Sequence, residues 1–164
     1  MRQLMFLFML LTSLYAEAQK SILLKCGKLL DTKTGIVLEK QFVLLNGNRV
    51  VSVGPTAFKA DSTIDLSDYF VMPGMIDCHT HVLLQGDITQ EDYDVQVLKE
   101  SIPYRTIRGV KSAERALMNG FTTIRDLGTE GAGYADVDLK KAINAGVIPG
   151  PRMLVATLAI NTTG

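Results

Sequence analysis

The sequence predicts an α/β protein in which a short all-β region precedes alternating strands and helices. Three observations carry this. Between residues 21 and 72 the apolar runs are short and separated by turn residues. After Pro73-Gly74, strand-like and helix-like segments alternate, which is the pattern of parallel βα units. A glycine stands at the end of each expected helix. With 47% hydrophobic and 21% charged residues, the 164-residue chain has the makeup of a globular protein rather than a disordered one. Lys+Arg and Asp+Glu are 17 each, giving a net charge of zero. That balance lacks the basic excess of a nucleic-acid binder, so no nucleic-acid partner is expected.

Residues 1–18 read as a secretory signal peptide. Arg2 gives a positive start, Leu4 to Leu11 is unbroken apolar sequence, and Ala16-Glu17-Ala18 fits an A-x-A cleavage site before Gln19. The apolar run is shorter than the roughly 20 residues that span a bilayer, so no stable membrane span is expected after cleavage. An uncleaved anchor is the alternative. Lys25 before Cys26 is a poor context for a lipid-modified N-terminus. Export, to the periplasm or the medium, would place the chain where disulfides persist. With only Cys26 and Cys78, one bridge is the maximum. It is not expected to form, because Cys78 in a short apolar strand reads as a buried small hydrophobe.

Residues 19–72 form the first expected domain, a small antiparallel β region. Ile22 to Cys26, Phe42 to Leu45 and Arg49 to Val53 are strand candidates. Asn46-Gly47 signals a hairpin between the last two, and Gly54-Pro55 ends it. Asp31 to Gly35 is a further turn. The region carries no chemistry of its own and reads as a platform.

Residues 73–164 form the second. Strands are expected at Met75 to His81, Phe121 to Leu127 and Arg152 to Thr157. Helices are expected at Pro103 to Asn119 and Asp136 to Ala145, stopped by Gly120 and Gly146. Ile107, Val110, Ala113 and Leu117 mark the apolar side of the first, Leu139 and Ile143 that of the second. Gly128 to Gly133 lacks the G-x-G-x-x-G spacing, which argues against dinucleotide binding.

The two histidines of the chain, His79 and His81, lie two residues apart. On a strand such residues share a face, while Cys78 and Thr80 take the other. Two imidazoles so placed can lean toward one metal ion, with Zn–N bonds of about 2.0–2.1 Å. Imidazole also suits manganese, iron and nickel, so the spacing does not name the metal. A pair of ordinary strand histidines is the alternative. Asp77 shares the expected face and is a candidate to support the ligands by hydrogen bonding. Asp126, at the end of the next strand, is a candidate supporting or substitute ligand. Its simpler reading is a loop cap or an ion pair with Arg125.

Met72 to His81 (Met-Pro-Gly-Met-Ile-Asp-Cys-His-Thr-His) resembles the P-G-x-I-D-x-H-x-H signature of the amidohydrolase superfamily. Gly120 to Gly128 is similar to its second barrel strand and loop, and Ile148 to Arg152 to the approach to its third. The set resembles the imidazolonepropionase-like subgroup, which includes Xaa-Pro dipeptidases. The resemblance implies a metal-dependent (β/α)8 TIM barrel preceded by a small β-sandwich. Residues 19–72 would be part of the sandwich, and 73–164 about three βα units of the barrel. Active sites of such barrels lie at the C-terminal ends of the strands.

The resemblance also implies hydrolysis of an amide, peptide or cyclic-amide C–N bond in a small molecule or dipeptide. One or two divalent ions, zinc the first choice, would activate the water. His79 and His81 map onto the first two ligands. The family's carboxylated lysine, two further histidines and catalytic aspartate have no counterpart in the sequence. A complete barrel takes about 250 residues. The sequence thus reads as an N-terminal part, inactive alone, with no catalytic residue assigned. Tyr134 and Asp136 stand where a loop would meet substrate. Two other readings compete. One is a short non-catalytic binding or partner module. The other is a structural zinc site joining the histidines to Cys26 or Cys78, disfavoured because Cys78 points away. The oligomeric state is left open.

Overall fold

A computed structural model describes residues 20–84 and 90–160. The expected signal peptide, residues 1–18, lies outside the described residues. The chain divides at Pro73/Gly74 into two compact units.

The first unit is a four-stranded sheet of β1 (Ser21–Leu30), β2 (Val37–Asn46), β3 (Arg49–Gly54) and β4 (Ser62–Val71), in the order β3-β2-β1-β4. β1 runs antiparallel to β2 and parallel to β4. The sheet is therefore mixed, where the sequence suggests an antiparallel region. The path from β3 crosses to the far side of β1, which makes β4 parallel to it. β4 carries no strand signature in the sequence, because Asp65, Ser67 and Asp68 interrupt any apolar alternation. In the hairpin, Asn46 pairs with Arg49, so Gly47 and Asn48 form the two-residue loop, one position later than expected. Cys26, Leu29 and Val43 form the buried cluster, with Leu24, Leu45 and Val71 packed against it.

The second unit begins with β5 (Met75–Thr80). A helical segment follows: α1 (Gln90–Asp94), continued by a π-helical turn at Val95–Lys99. Then come α2 (Ile102–Met118), β6 (Phe121–Asp126), α3 (Ala135–Asn144) and β7 (Arg152–Val155). β5, β6 and β7 form a parallel three-stranded sheet in chain order. Ser101 caps α2, its hydroxyl accepting the Tyr104 amide at 3.4 Å, and Pro103 occupies the first turn, where its missing N–H costs nothing. Gly120 (φ 90°) and Gly146 (φ 70°) follow the ends of α2 and α3, as the sequence indicates. Their positive φ lets the chain leave each helix without the Cβ clash other residues would meet.

The core joins Val82, Leu83, Ile124, Ala132, Ala135, Leu139 and Met153. Full burial of a leucine or isoleucine stabilises by about 1.5–3 kcal/mol. α2 turns Arg105, Gly109 and Ala113 inward. Ile107, expected on that side, is 68% exposed. The buried stripe steps by four residues from Arg105, and position 107 lies about 200° around the helix from it. A Cβ on Gly109 would lie 2.9 Å from Leu83 Cδ2 and 3.0 Å from Leu139 Cδ1. Glycine there lets α2 sit directly on the segment that leaves β5. Beside that stripe, Arg108 holds the π-helical turn and the residue after it through Gln96 Oε1 (2.6 Å) and Glu100 Oε1 (2.9 Å).

Among the described residues, no helix is long and apolar enough to cross a membrane.

Candidate functional site

The loops leaving β5, β6 and β7 are tied together at the C-terminal ends of the strands. The Leu127 amide donates to Thr80 O (3.0 Å), Ala156 to Asp126 O (3.1 Å) and Thr129 to Thr157 O (2.9 Å). His79 stands near the end of β5 and His81 just after it. Their ring centroids are 5.3 Å apart with the planes at 66°. His79 is exposed and His81 half-buried. The structure thus brings the two sequence-predicted imidazoles to one place.

His81 Nδ1 lies 3.0 Å from the Gly128 carbonyl oxygen. A carbonyl can only accept, so the bond requires a proton on Nδ1, and in the neutral ring that leaves the Nε2 lone pair free. Farther off, Glu130 Oε1 stands 3.7 Å from the same nitrogen. Glu130 adopts φ 48°, and its Oε2 accepts the Tyr93 hydroxyl at 2.7 Å. That bond and burial raise the Tyr93 pKa.

Asp126 is fully buried. Its Oδ2 accepts the Val82 amide (2.8 Å) and its Oδ1 the Gly128 amide (3.2 Å). It therefore joins the residue after His81 to the residue that holds His81. Burial raises its pKa, against the lowering effect of the two amides. Of the two simple readings of Asp126, the loop cap describes its bonds. Arg125 is engaged elsewhere, its Nε donating to Cys78 O at 2.7 Å.

Asp77 stands in β5, two residues before His79. It pairs with Ile124, a fully buried residue on the helix-covered side. The register slips between Asp77 and Thr80, three residues of β5 spanning two of β6, so strand alternation does not carry through. Asp77 Oδ1 accepts the backbone amide of His79 at 3.0 Å. It fixes the main chain at the first imidazole.

Cys78 is exposed, not buried, while Cys26 is buried, and both are free thiols. Burial raises the Cys26 pKa. Cys78 is exposed because it follows the Ile76–Thr123 pair on the sheet face that the two helices leave uncovered, where Ile76 is also exposed. Asp136 is fully buried and holds the Thr157 amide with Oδ2 (2.9 Å) and the Val137 amide with Oδ1 (2.8 Å). It closes the loop after β7. Tyr134 is exposed at the start of α3.

Sequence reasoning misses Arg105. Its side chain is 1% exposed and donates to three carbonyls: Leu83 (Nε, 3.2 Å), Glu130 (Nη1, 2.8 Å) and Thr129 (Nη2, 2.9 Å). Burial lowers its pKa from the usual guanidinium value. The one signal in the sequence is an arginine on the stripe 105-109-113, where small and apolar residues face the sheet.

The donor set fits part of a metal centre. Two neighbouring imidazoles, one with a ring nitrogen engaged by a backbone carbonyl, suit histidine ligation. A catalytic zinc normally takes three protein ligands and a water. Among the described residues no group of three or more His, Cys, Asp or Glu side chains is arranged to hold an ion. The centre would need further donors.

The sequence profile described as the amidohydrolase family matches residues 70–163. An imidazolonepropionase of Acidiphilium cryptum (strain JF-5) is 28% identical over 141 residues, covering 78% of this chain and 35% of that protein. A crystal structure of an Xaa-Pro dipeptidase with bound methionine in the active site superposes with a TM-score of 0.73 at 26% identity, over 85% of this chain and 34% of that one. A prolidase complexed with N-methylphosphonate-L-proline gives a TM-score of 0.71 at 31% identity, over 84% and 32%. The chain thus spans about a third of the length of the proteins it matches.

Proposed function

Since the chain belongs to the amidohydrolase family, we propose that it supplies the first two ligands, His79 and His81, of a metal-dependent hydrolase that cleaves a C–N bond in a dipeptide or cyclic amide. The family is one of hydrolases and is generally metal-dependent. The observation that carries the reading for this chain is the pair of imidazoles 5.3 Å apart, with His81 held at Nδ1. The relatives named for imidazolonepropionate and Xaa-Pro dipeptides support a small C–N substrate.

A bound divalent ion in such a site would supply an acidified water and polarise the scissile carbonyl. The chain's own residues would hold and orient. His79 and His81 would present Nε2 donors. Asp77 would keep the His79 backbone in place, and Asp126 the turn after His81. Zinc is the first choice of metal because two imidazoles suit it. The three βα units would be the first part of a (β/α)8 barrel, and the four-stranded sheet part of a small β-sandwich. Residues 1–18 would direct export to the periplasm or the medium. With two ligands and no catalytic aspartate, the 164-residue chain alone would not turn over.

Hydrolysis of Xaa-Pro and Xaa-Arg dipeptides by the full-length protein tests this. Turnover is expected, lost with a chelator and in His79→Ala. Turnover that survives both, or a purified protein that neither holds a divalent metal nor cleaves any C–N substrate offered, would overturn it.

A further inference from the structure

We propose that Arg105 is a positioning residue for His81: its buried guanidinium fixes the loop whose Gly128 carbonyl holds the imidazole in the Nδ1–H tautomer, leaving Nε2 directed outward. The inference rests on the reading of His81 as a metal ligand and adds a residue outside the H-x-H signature.

The geometry has three parts. First, Arg105 joins the two loops concerned. Nε reaches Leu83 O, two residues after His81, while Nη1 and Nη2 reach Glu130 O and Thr129 O, directly after Gly128. Second, the strap is a planar fork with three donors in use, each at 2.8–3.2 Å. Lysine cannot reproduce that arrangement, since its ammonium is a single point on a flexible stem. Third, Gly128 is held from both sides. Asp126 takes its amide, and the two carbonyls that follow it are pinned by Arg105. Its own carbonyl is then fixed where His81 Nδ1 meets it.

A buried cation is expensive unless its hydrogen bonds are made. The three bonds of Arg105 go to backbone carbonyls of the two loops that frame the histidines. A guanidinium serving the helix alone would have no reason to reach both. The same strap sets Glu130, whose carboxylate Tyr93 steadies 3.7 Å from His81 Nδ1. Partners of this kind around a metal-bound histidine typically change metal affinity 10–100-fold when removed.

The test uses the full-length protein, metal-free, with 15N-labelled histidine. The His81 ring signals are assigned by their loss in His81→Gln. The wild type should show His81 protonated at Nδ1 with a slowly exchanging proton. In Arg105→Lys, His81 should sample both tautomers while the His79 signals stay in place. Affinity for zinc, measured against a chelator, should fall about tenfold or more. A wild-type His81 protonated at Nε2 would overturn the proposal without any variant. So would a folded Arg105→Lys that keeps the Nδ1–H signature and binds zinc within twofold of wild type. If Arg105→Lys does not fold, Arg105→Gln and the wild-type tautomer decide in the same way. A wild type that binds no zinc defeats the metal reading instead, and the two failures are thereby distinguished.

Discussion

The imidazole of His81 donates from Nδ1 to the carbonyl of Gly128, 3.0 Å away and 47 residues along the chain. This bond couples the end of β5 to the loop after β6. Several groups hold those two segments together.

Asp126 is the first such group. Replacing it with alanine leaves the buried amides of Val82 and Gly128 without acceptors. Loss of bonds to a charged acceptor, with burial of the orphaned donors, should cost about 2–4 kcal/mol. Asp126→Asn should cost less, because one amide oxygen can still accept and because burial already disfavours the ionised carboxylate. Urea unfolding of both variants checks the order. An alanine variant as stable as wild type would contradict the role of Asp126 as the link between the two loops.

Gly109 is the second. Valine there would push into Leu83 and Leu139, whose methyls stand 2.9 and 3.0 Å from the position of a Cβ. Overpacking of this sort costs about 1–3 kcal/mol. Gly109→Ala should be milder, since helix propensity returns about 1 kcal/mol and the leucine ends can give. Thermal melts should rank wild type and alanine together, above valine. A valine variant with an unchanged melting temperature would show that α2 does not press on the segment after β5.

In the β unit, Asp65 offers a pH test. Its carboxylate accepts the side chain and the amide of Ser67 and pairs with Lys25 Nζ at 3.0 Å. These bonds, that to the Ser67 hydroxyl first, lower its pKa to about 2. A lowered carboxylate pKa stabilises the fold above the unfolded value of about 3.9, and that stabilisation disappears as pH falls through the folded value. Asp65→Asn should therefore melt lower than wild type at pH 7, with the gap closing between about pH 4 and pH 2. A gap independent of pH would refute the assignment. The pair is exposed, so the gap should be small.

Local chemistry is legible in the sequence. The H-x-H pair, the Pro-Gly break and the glycine helix stops all act over a few residues, and each stands where expected. Non-local relations are less so. The slip in the β5–β6 register between Asp77 and Thr80 is one, since strand alternation alone does not foresee it. Cys78 lies in an apolar strand yet is exposed, because exposure depends on which face the helices cover. Arg105 is invisible for another reason: its partners are backbone carbonyls, which every residue has. Asp126 can be named from the sequence but not assigned, since its two acceptor bonds go to amides from separate loops.

In the proposed site His79 and His81 together hold a divalent ion. The most direct measurement is the metal content of the purified full-length protein beside His79→Ala and His81→Ala, after dialysis against a weak chelator. The wild type should retain a divalent metal, and both variants should lose it. Variants that keep the wild-type metal content would contradict it.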